Sequence, residues 1–575
     1  MRILPWIAKR IVFPTALISF VFVPFFGFGQ QPATRAQAEQ DPILKAMLVE
    51  LARNRKRLQL QGSEKPYFIE FRIDDVAEYN AKAAFGALNS EHESHTRVAR
   101  VRVRVGDYKL DNSHAKVDNQ LLLLLQRFGM GGDGMIASEV LDDDPVALRF
   151  SLWNAADIAY KLALDDFAKK EAELKTVQTP PQADSFAKED PVIVLEPVRH
   201  FVLDREAWKH NIVESSGIVL TDPAAKKFAA EIEESNGELR GQVRTEYLVN
   251  TEGAIVRKSY AEYHAETAFR AQAADGMRLT RSYPVSAAAA DGLGTAEHFR
   301  TGTLRALTGL DELGKAPVVT EEYHGPVLLA GNASARSFED LFASAVEARP
   351  PALGSSARTI GAYNSSYQAR VLPEFLSVVD DPALTTFSRK ELTGAYTVDD
   401  EGVPAQKVEL VRDGKLVNYL IGREPIRDFP QSNGHGRAGA GQAPGPSIGV
   451  LKVEAKDAVS EDELVKKLIA MGKDQGLANV YLVDTLSSPS QPRTLYQIKV
   501  ADGSREVVRG AALGELNLHT FRSGIVAAGD TPYVYNIGGA LPKTIIAPPL
   551  LIDDLTVKQA LERGARLPFY PPPAE

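Results

Sequence analysis

The chain has 575 residues, a formal net charge of −9, 44% hydrophobic and 25% charged residues, and no cysteine. That length holds more than one core, so two or three domains are expected, and the mild acidity argues against a general nucleic-acid binder. Without cysteine, disulfides, thiolate metal ligands and a cysteine nucleophile are excluded, which fits an oxidising compartment without requiring one.

At the start, Arg2, Lys9 and Arg10 precede an apolar run, Ile11 to Phe28, broken by Pro14 and Pro24. Gly27 and Gly29 close the run and Ala36-Gln37-Ala38 follows. The pattern predicts a secretory signal peptide over residues 1–29 and an exported, periplasmic or secreted product; an uncleaved anchor is the alternative. No later stretch is long and apolar enough to span, so no stable membrane span is expected after cleavage.

Asp41 to Leu60 has the spacing of an entry helix and Tyr67 to Ile73 that of a strand. His92-Glu93-Ser94-His95 has its histidines three apart, not in HExxH or HExxxH spacing, and reads as an exposed polar loop. From Val98 to Val105, valine alternates with mostly arginine, predicting a strand with one buried face. Its arginine row is either a surface for an anionic ligand or a solvated sheet face; solvation is the simpler expectation. Asp144 to Lys175 is predicted helical behind its acidic Asp-Pro start, with Trp153, Ile158, Tyr160, Leu162 and Leu164 as the apolar face. A linker at Thr179-Pro180-Pro181, helices over Glu206–Glu214 and Asp222–Glu234, and a hairpin of Leu239–Asn250 with Ala254–Ala261 follow. Glu262, His264 and Glu266 share one strand face, a pattern more common for cross-strand charges than for a metal site. A junction near Gly309 to Pro317 divides an α+β region, 41–315, from a C-terminal domain, 320–555; a loose tail, 556–575, ends the chain.

The most site-like stretch runs from Val371 to Arg437. Its turns are marked by Asp380-Asp381-Pro382, Thr393-Gly394, Asp399-Asp400-Glu401-Gly402 and Asp413-Gly414. Val408 and Leu410 alternate with charged residues before the last turn, and Leu416 to Ile421 reads as the returning strand. This antiparallel meander delivers Ser432-Asn433-Gly434-His435-Gly436-Arg437 to a mobile, donor-rich loop. Gly434 and Gly436 would let the backbone approach a substrate, His435 is a substrate-binding candidate, and Arg437 would clamp a carboxylate or peptide carbonyl. Ser432 and His435 are the candidates for a serine–histidine mechanism.

The runs VVDDP, DDEGVPAQKVELVRDGKL and SNGHGR resemble the C-terminal half of the TldD/PmbA family, the modulator-of-gyrase metallopeptidases, and Ile545 to Leu551 resembles that family's closing motif. The likeness extends from about Tyr67 to about Leu551 and is strongest after Gly325; VRVRVGDYKLDNS also resembles secreted members. It implies an α+β fold, with a mixed sheet-and-helix region followed by a β-rich C-terminal domain. In catalytic members it implies an HExxxH helix holding zinc through its histidines, with the glutamate activating water. The corresponding helix here, Ser334 to Arg349, places Ala343, Ser344 and Ala348 where the first histidine, the glutamate and the last histidine would stand. The chain is therefore similar to the metal-free PmbA/TldE branch; no metal ligands and no cofactor are expected in it, and zinc only in a catalytic relative. The implied role is an exported, metal-free subunit of a peptidase complex, with peptide substrates and a metal-bearing TldD-like relative as partners. A hydrolase acting alone and a stand-alone peptide-binding protein are the rival readings.

Overall fold

The computed structural model describes residues 33–115, 134–179, 181–228, 231–514 and 516–560. The expected signal peptide and nearly all of the expected tail lie outside these residues. Among the described residues no helix is long and apolar enough to cross a membrane.

The N-terminal region is built on one seven-stranded sheet. Its strands are β1 (Phe68–Ala84), β2 (Ala87–Arg104), β3 (Met135–Ser138), β4 (Ile193–Leu195), β5 (Ile232–Asn250), β6 (Ile255–Gln272) and β7 (Arg278–Ala287). They lie in the order β3-β2-β1-β5-β6-β4, with β7 also on β6, and every pairing is antiparallel except β4 with β6. Asn250 makes the β5–β6 turn: its side chain accepts from the backbone N–H groups of Glu252, Gly253 and Ala254. Helix α1 (Pro42–Arg57) and helix α2 (Pro145–Leu174) each start on an Asp-Pro pair whose aspartate accepts two backbone N–H groups.

Both helices cover one face of the sheet. There Ile69, Phe71 and Ile73 of β1, Val101 and Val103 of β2, and Tyr247 and Val249 of β5 meet Leu44, Met47, Leu152 and Ala156. Burying each large side chain contributes about 1.5–3 kcal/mol. The stripe that α2 buries is Leu148, Leu152, Ala155, Ala156, Ala159, Tyr160 and Ala163. Trp153 is instead exposed, because the small alanines let the helix settle on the sheet and turn the indole outward.

The C-terminal region contains two further large sheets and two two-stranded ones, Thr386–Phe387 with Lys390–Glu391 and Gly436–Arg437 with Gly445–Pro446. In the six-stranded one, β9 (Leu376–Asp380) pairs with Val408–Arg412 and Val450–Ala455; Lys543–Ala547 and Tyr533–Ile537 continue it. In the seven-stranded one, β8 (Tyr323–Leu329) lies between Asn479–Ser488 and Leu550–Gln559. The largest apolar core joins these sheets through Leu329, Val378, Leu410, Leu451, Val483 and Ile552, with Phe338 and Phe342 between them. The opposite face of the seven-stranded sheet is covered by the helix Glu461–Asp474 through Leu464 and Leu468. The α+β class holds.

Several local expectations are corrected. Asp222 begins a turn, not a helix: its side chain accepts from the Ala224 N–H, and β5 starts at Ile232, pairing there with Ala271 of β6. His92-Glu93-Ser94-His95 lies within β2 rather than in a loop, with His95 Nε2 2.6 Å from Asp75. His264 and Glu266 do share a face, 3.6 Å apart, while Glu262 accepts the Gly539 N–H. The Asp413-Gly414 turn has positive φ at both residues, as a tight hairpin requires, but its returning strand is only Lys415–Leu416. Beyond it the chain turns inward and Tyr419 donates its hydroxyl to the Tyr363 carbonyl. The last strand continues to Gln559, so the chain after 556 begins as sheet rather than as a loose tail.

Candidate functional site

The second face of the N-terminal sheet is charged and buried. Glu70, Arg72 and Asp74 of β1 stand opposite Arg102, Arg100 and Val98 of β2; Asp74 is also opposite Glu246 of β5. Arg244 and Glu246 of β5 face Tyr260 and Lys258 of β6. Arg100, Arg102 and Arg104 are buried, which corrects the expectation of a solvated arginine row. The C-terminal region covers them. Arg102 pairs with Glu401 at 3.0 Å, Arg104 with Asp111 at 2.6 Å and Glu424 at 3.2 Å, and Arg423 with Glu252 at 2.7 Å. Arg72 donates to the carbonyls of Gly439 and Gln442, and Arg244 to that of Ala438. In return the Gly441 N–H donates to Asp74 at 2.8 Å. The Gly-rich loop after Arg437 is clamped to the sheet, not mobile.

The turn Asp399 to Gly402 holds the SNGHGR run from the other side. Asp399 accepts the N–H groups of Glu401, Val403 and Gly436, and burial together with Glu401 beside it pushes its carboxyl well above the usual range. Asp400 pairs with Lys258 and accepts the Ala438 N–H. Burial works against the charge of Asp400, but Lys258, Arg244 and Arg72 outweigh it and hold the carboxyl below its ordinary value. At Glu246, burial and the neighbouring Asp400 prevail over Lys258 and Arg244 and push the carboxyl up to about 8.

Most of the residues expected to touch substrate lie inside the protein. His435 is 0% exposed: Nδ1 faces the Asn433 carbonyl at 2.9 Å and Nε2 faces Asp380 at 3.2 Å. Asp380 in turn accepts the N–H groups of Gly449 and Val450, so His435 ties the run to β9. Ser432 donates its hydroxyl to the Ile421 carbonyl, and among the described residues no hydrogen bond joins it to His435; the serine–histidine pair is not assembled. The two glycines serve packing, not ligand approach. A Cβ on Gly436 would stand 2.2 Å from Glu401, and one on Gly434 would stand 2.2 Å from the Pro404 carbonyl oxygen.

Arg437 alone of that run reaches open space. It lines a cleft of about 330 Å³ between the charged sheet face and the C-terminal loops, together with Arg244, Lys258, Tyr260, Tyr396 and Asp400. Its Nη1 donates to the Ile448 carbonyl at 2.7 Å, and its guanidinium lies 4.7 Å over the Tyr396 ring. Leu541 and Pro542 complete an apolar wall. The arrangement presents a fixed cation and aromatic surface to a small polar group with an apolar body. Sequence reasoning missed Arg244, Glu246, Lys258, Tyr260 and Tyr396. The available signal was charge at alternate positions of β5 and β6, the same pattern that β2 shows.

The zinc that the resemblance implies for catalytic relatives does not fit these residues. The helical run is α over Gly331–Ser337, π over Phe338–Ala343 and α again over Ser344–Val346. Ala343 and Ala348 are buried methyl groups, and Ser344 lacks the carboxylate that would activate water. Among the described residues no group of three or more His, Cys, Asp or Glu is placed to hold a metal ion.

Residues 320–559 match the PmbA/TldA metallopeptidase C-terminal domain. A protein named metalloprotease from Archaeoglobus fulgidus is 26% identical over 193 residues, spanning 32% of this chain and 42% of that relative's length. TldE of Thermococcus kodakarensis superposes with a TM-score of 0.56 at 14% identity, over 89% of this chain and 100% of its own. A candidate modulator of a DNA gyrase from Thermotoga maritima gives 0.57 at 15% identity, over 89% and 99%. Another from Bacteroides thetaiotaomicron gives 0.56 at 12%, over 92% and 99%. The fold is thus that of the TldE and gyrase-modulator structures. Residues 320–559 form a C-terminal domain of the PmbA/TldD kind.

Proposed function

We propose that this chain is an exported, metal-free member of a peptidase assembly, which binds unfolded peptides for a metal-bearing relative to cut. The observation that carries the reading is that the positions the resemblance assigns to the metal ligands and the base hold Ala343 and Ser344, on the helical run, and Ala348, two residues past its end at Val346. The cleft beside Arg437 supports the binding half: it is polar at its floor, aromatic at its wall and of a size for a short peptide segment. Export rests on the basic and proline-broken apolar pattern of residues 1–29.

The test is a cleavage assay on unstructured peptides with three samples: this chain, a metal-bearing relative co-purified from the native host, and both. The expected result is binding without cleavage by the chain alone and faster, chelator-sensitive cleavage by the mixture. Robust chelator-insensitive cleavage by this chain alone would overturn the proposal.

A further inference from the structure

The cleft is uneven in how its charges are satisfied. Its carboxylates Asp400 and Glu246 are already paired with cations, although among the described residues Glu246 Oε1 accepts no hydrogen bond. Asp400 has Lys258 and the Ala438 N–H. Glu246 has Arg244 at 3.1 Å and Lys258 at 3.3 Å. Asp74, behind them, has Arg72, Arg244 and the Gly441 N–H. Arg244 is equally committed: Nε to Asp74, Nη2 to Glu246 and Nη1 to the Ala438 carbonyl.

Arg437 differs. One guanidinium nitrogen is held by the Ile448 carbonyl, and the Tyr396 ring supports the flat face of the group. Among the described residues no acceptor is placed on its Nε and Nη2. The residue is 9% exposed, and these two contacts hold the guanidinium where it lines the cleft. A planar guanidinium with an unused pair of donors matches a carboxylate, which takes both in parallel. A more highly charged phosphate would be opposed by Asp400 and Glu196 on the same cleft. Tyr396, Leu541 and Pro542 offer the apolar surface that the side chain next to such a carboxylate would cover.

We infer that Arg437 captures the free C-terminal carboxylate of a peptide in this cleft, so that the protein selects chain ends over internal segments. The inference rests on the proposed peptide-binding role and adds to it the part of the peptide that is recognised. A neutral terminal amide has no charge to give the guanidinium, and its NH₂ would turn a donor toward the donors of Arg437.

The experiment is fluorescence anisotropy with a short unstructured peptide labelled at its N-terminus, prepared as the free acid and as the C-terminal amide, titrated with the mature full-length chain. The acid is expected to bind about tenfold or more tighter than the amide, the worth of one charge-assisted hydrogen bond. Arg437→Met should abolish the difference between acid and amide, and Arg437→Lys should restore part of it. Equal binding of acid and amide by the folded wild type would overturn end recognition while leaving peptide binding intact. Binding of neither would overturn both readings. If Arg437→Met fails to fold, the wild-type comparison decides.

Discussion

Asp74→Ala tests whether the charged sheet face holds the two regions together. Asp74 is fully buried and accepts from Arg244 at 2.8 Å and from the Gly441 N–H at 2.8 Å, with Arg72 3.3 Å away. Truncation leaves two guanidinium groups short of a counter-charge and one backbone N–H bare. Removing one partner of a buried ion pair costs about 3–5 kcal/mol. Both arginines retain carbonyl partners at Ala438, Gly439 and Gln442, so the lower end, about 3 kcal/mol, is expected. Urea unfolding should show the loss as a lower midpoint at unchanged slope. Limited trypsin digestion should reveal new cleavage after Arg437 under native conditions, because the clamped loop is released. Asp74→Asn, which keeps an acceptor oxygen, should lie between wild type and Asp74→Ala. A loss below about 1 kcal/mol without new cleavage would refute the argument and make the interface mainly apolar.

Glu246 supplies a pH signature. Its carboxyl rises from 4.5 to about 8 on folding, so the folded protein binds more protons and this contribution to stability, full below 4.5, is lost as pH rises through 8. Thermal melts from pH 5 to 9 should show Glu246→Gln gaining on wild type as pH rises; a constant difference would contradict this. Gly436→Ala drives a Cβ into Glu401 and should cost about 1–3 kcal/mol by overpacking, read as a lower melting temperature. Metal analysis after dialysis against a weak chelator should find no stoichiometric zinc; one zinc per chain would mean that the ligand set lies elsewhere. Mass spectrometry of protein from the native host should place the mature N-terminus between about Gly29 and Glu39, and a species beginning at Met1 would contradict export.

The sequence was most legible where one residue pair settles local geometry. Asp41-Pro42 and Asp144-Pro145 announce helices α1 and α2, and Asp413-Gly414 announces its turn. Asp222-Pro223 carries the same signal and misleads, since long-range pairing of Ile232 with Ala271 claims the chain for a strand. Alternation in β2 showed which side chains share a face but not what covers that face. The covering loop is some 340 residues away, as Arg100 donating to the Gly441 carbonyl illustrates. The same limit hid the character of His435. Flanking glycines read equally well as ligand approach or as room for Glu401, and only the three-dimensional contact at Gly436 decides. Arg437 could be singled out as a candidate from its side-chain chemistry alone, whereas Lys258 and Glu246 acquire meaning only from each other and Asp400.

The two unlike faces of the N-terminal sheet also bear on how the protein is made. Residues 33–115 and 231–272 leave the ribosome well before the loop at 436–449 that will cover them. An apolar face left open for that interval would invite association with other nascent chains. A face of Arg72, Arg102, Arg244 and Glu246 can wait in water, fully hydrated, and dehydrate only when its partner exists. Ions in the surrounding medium compete for the same groups during that wait, so refolding of the full chain should slow with added salt at the docking step, even where the finished structure is little affected.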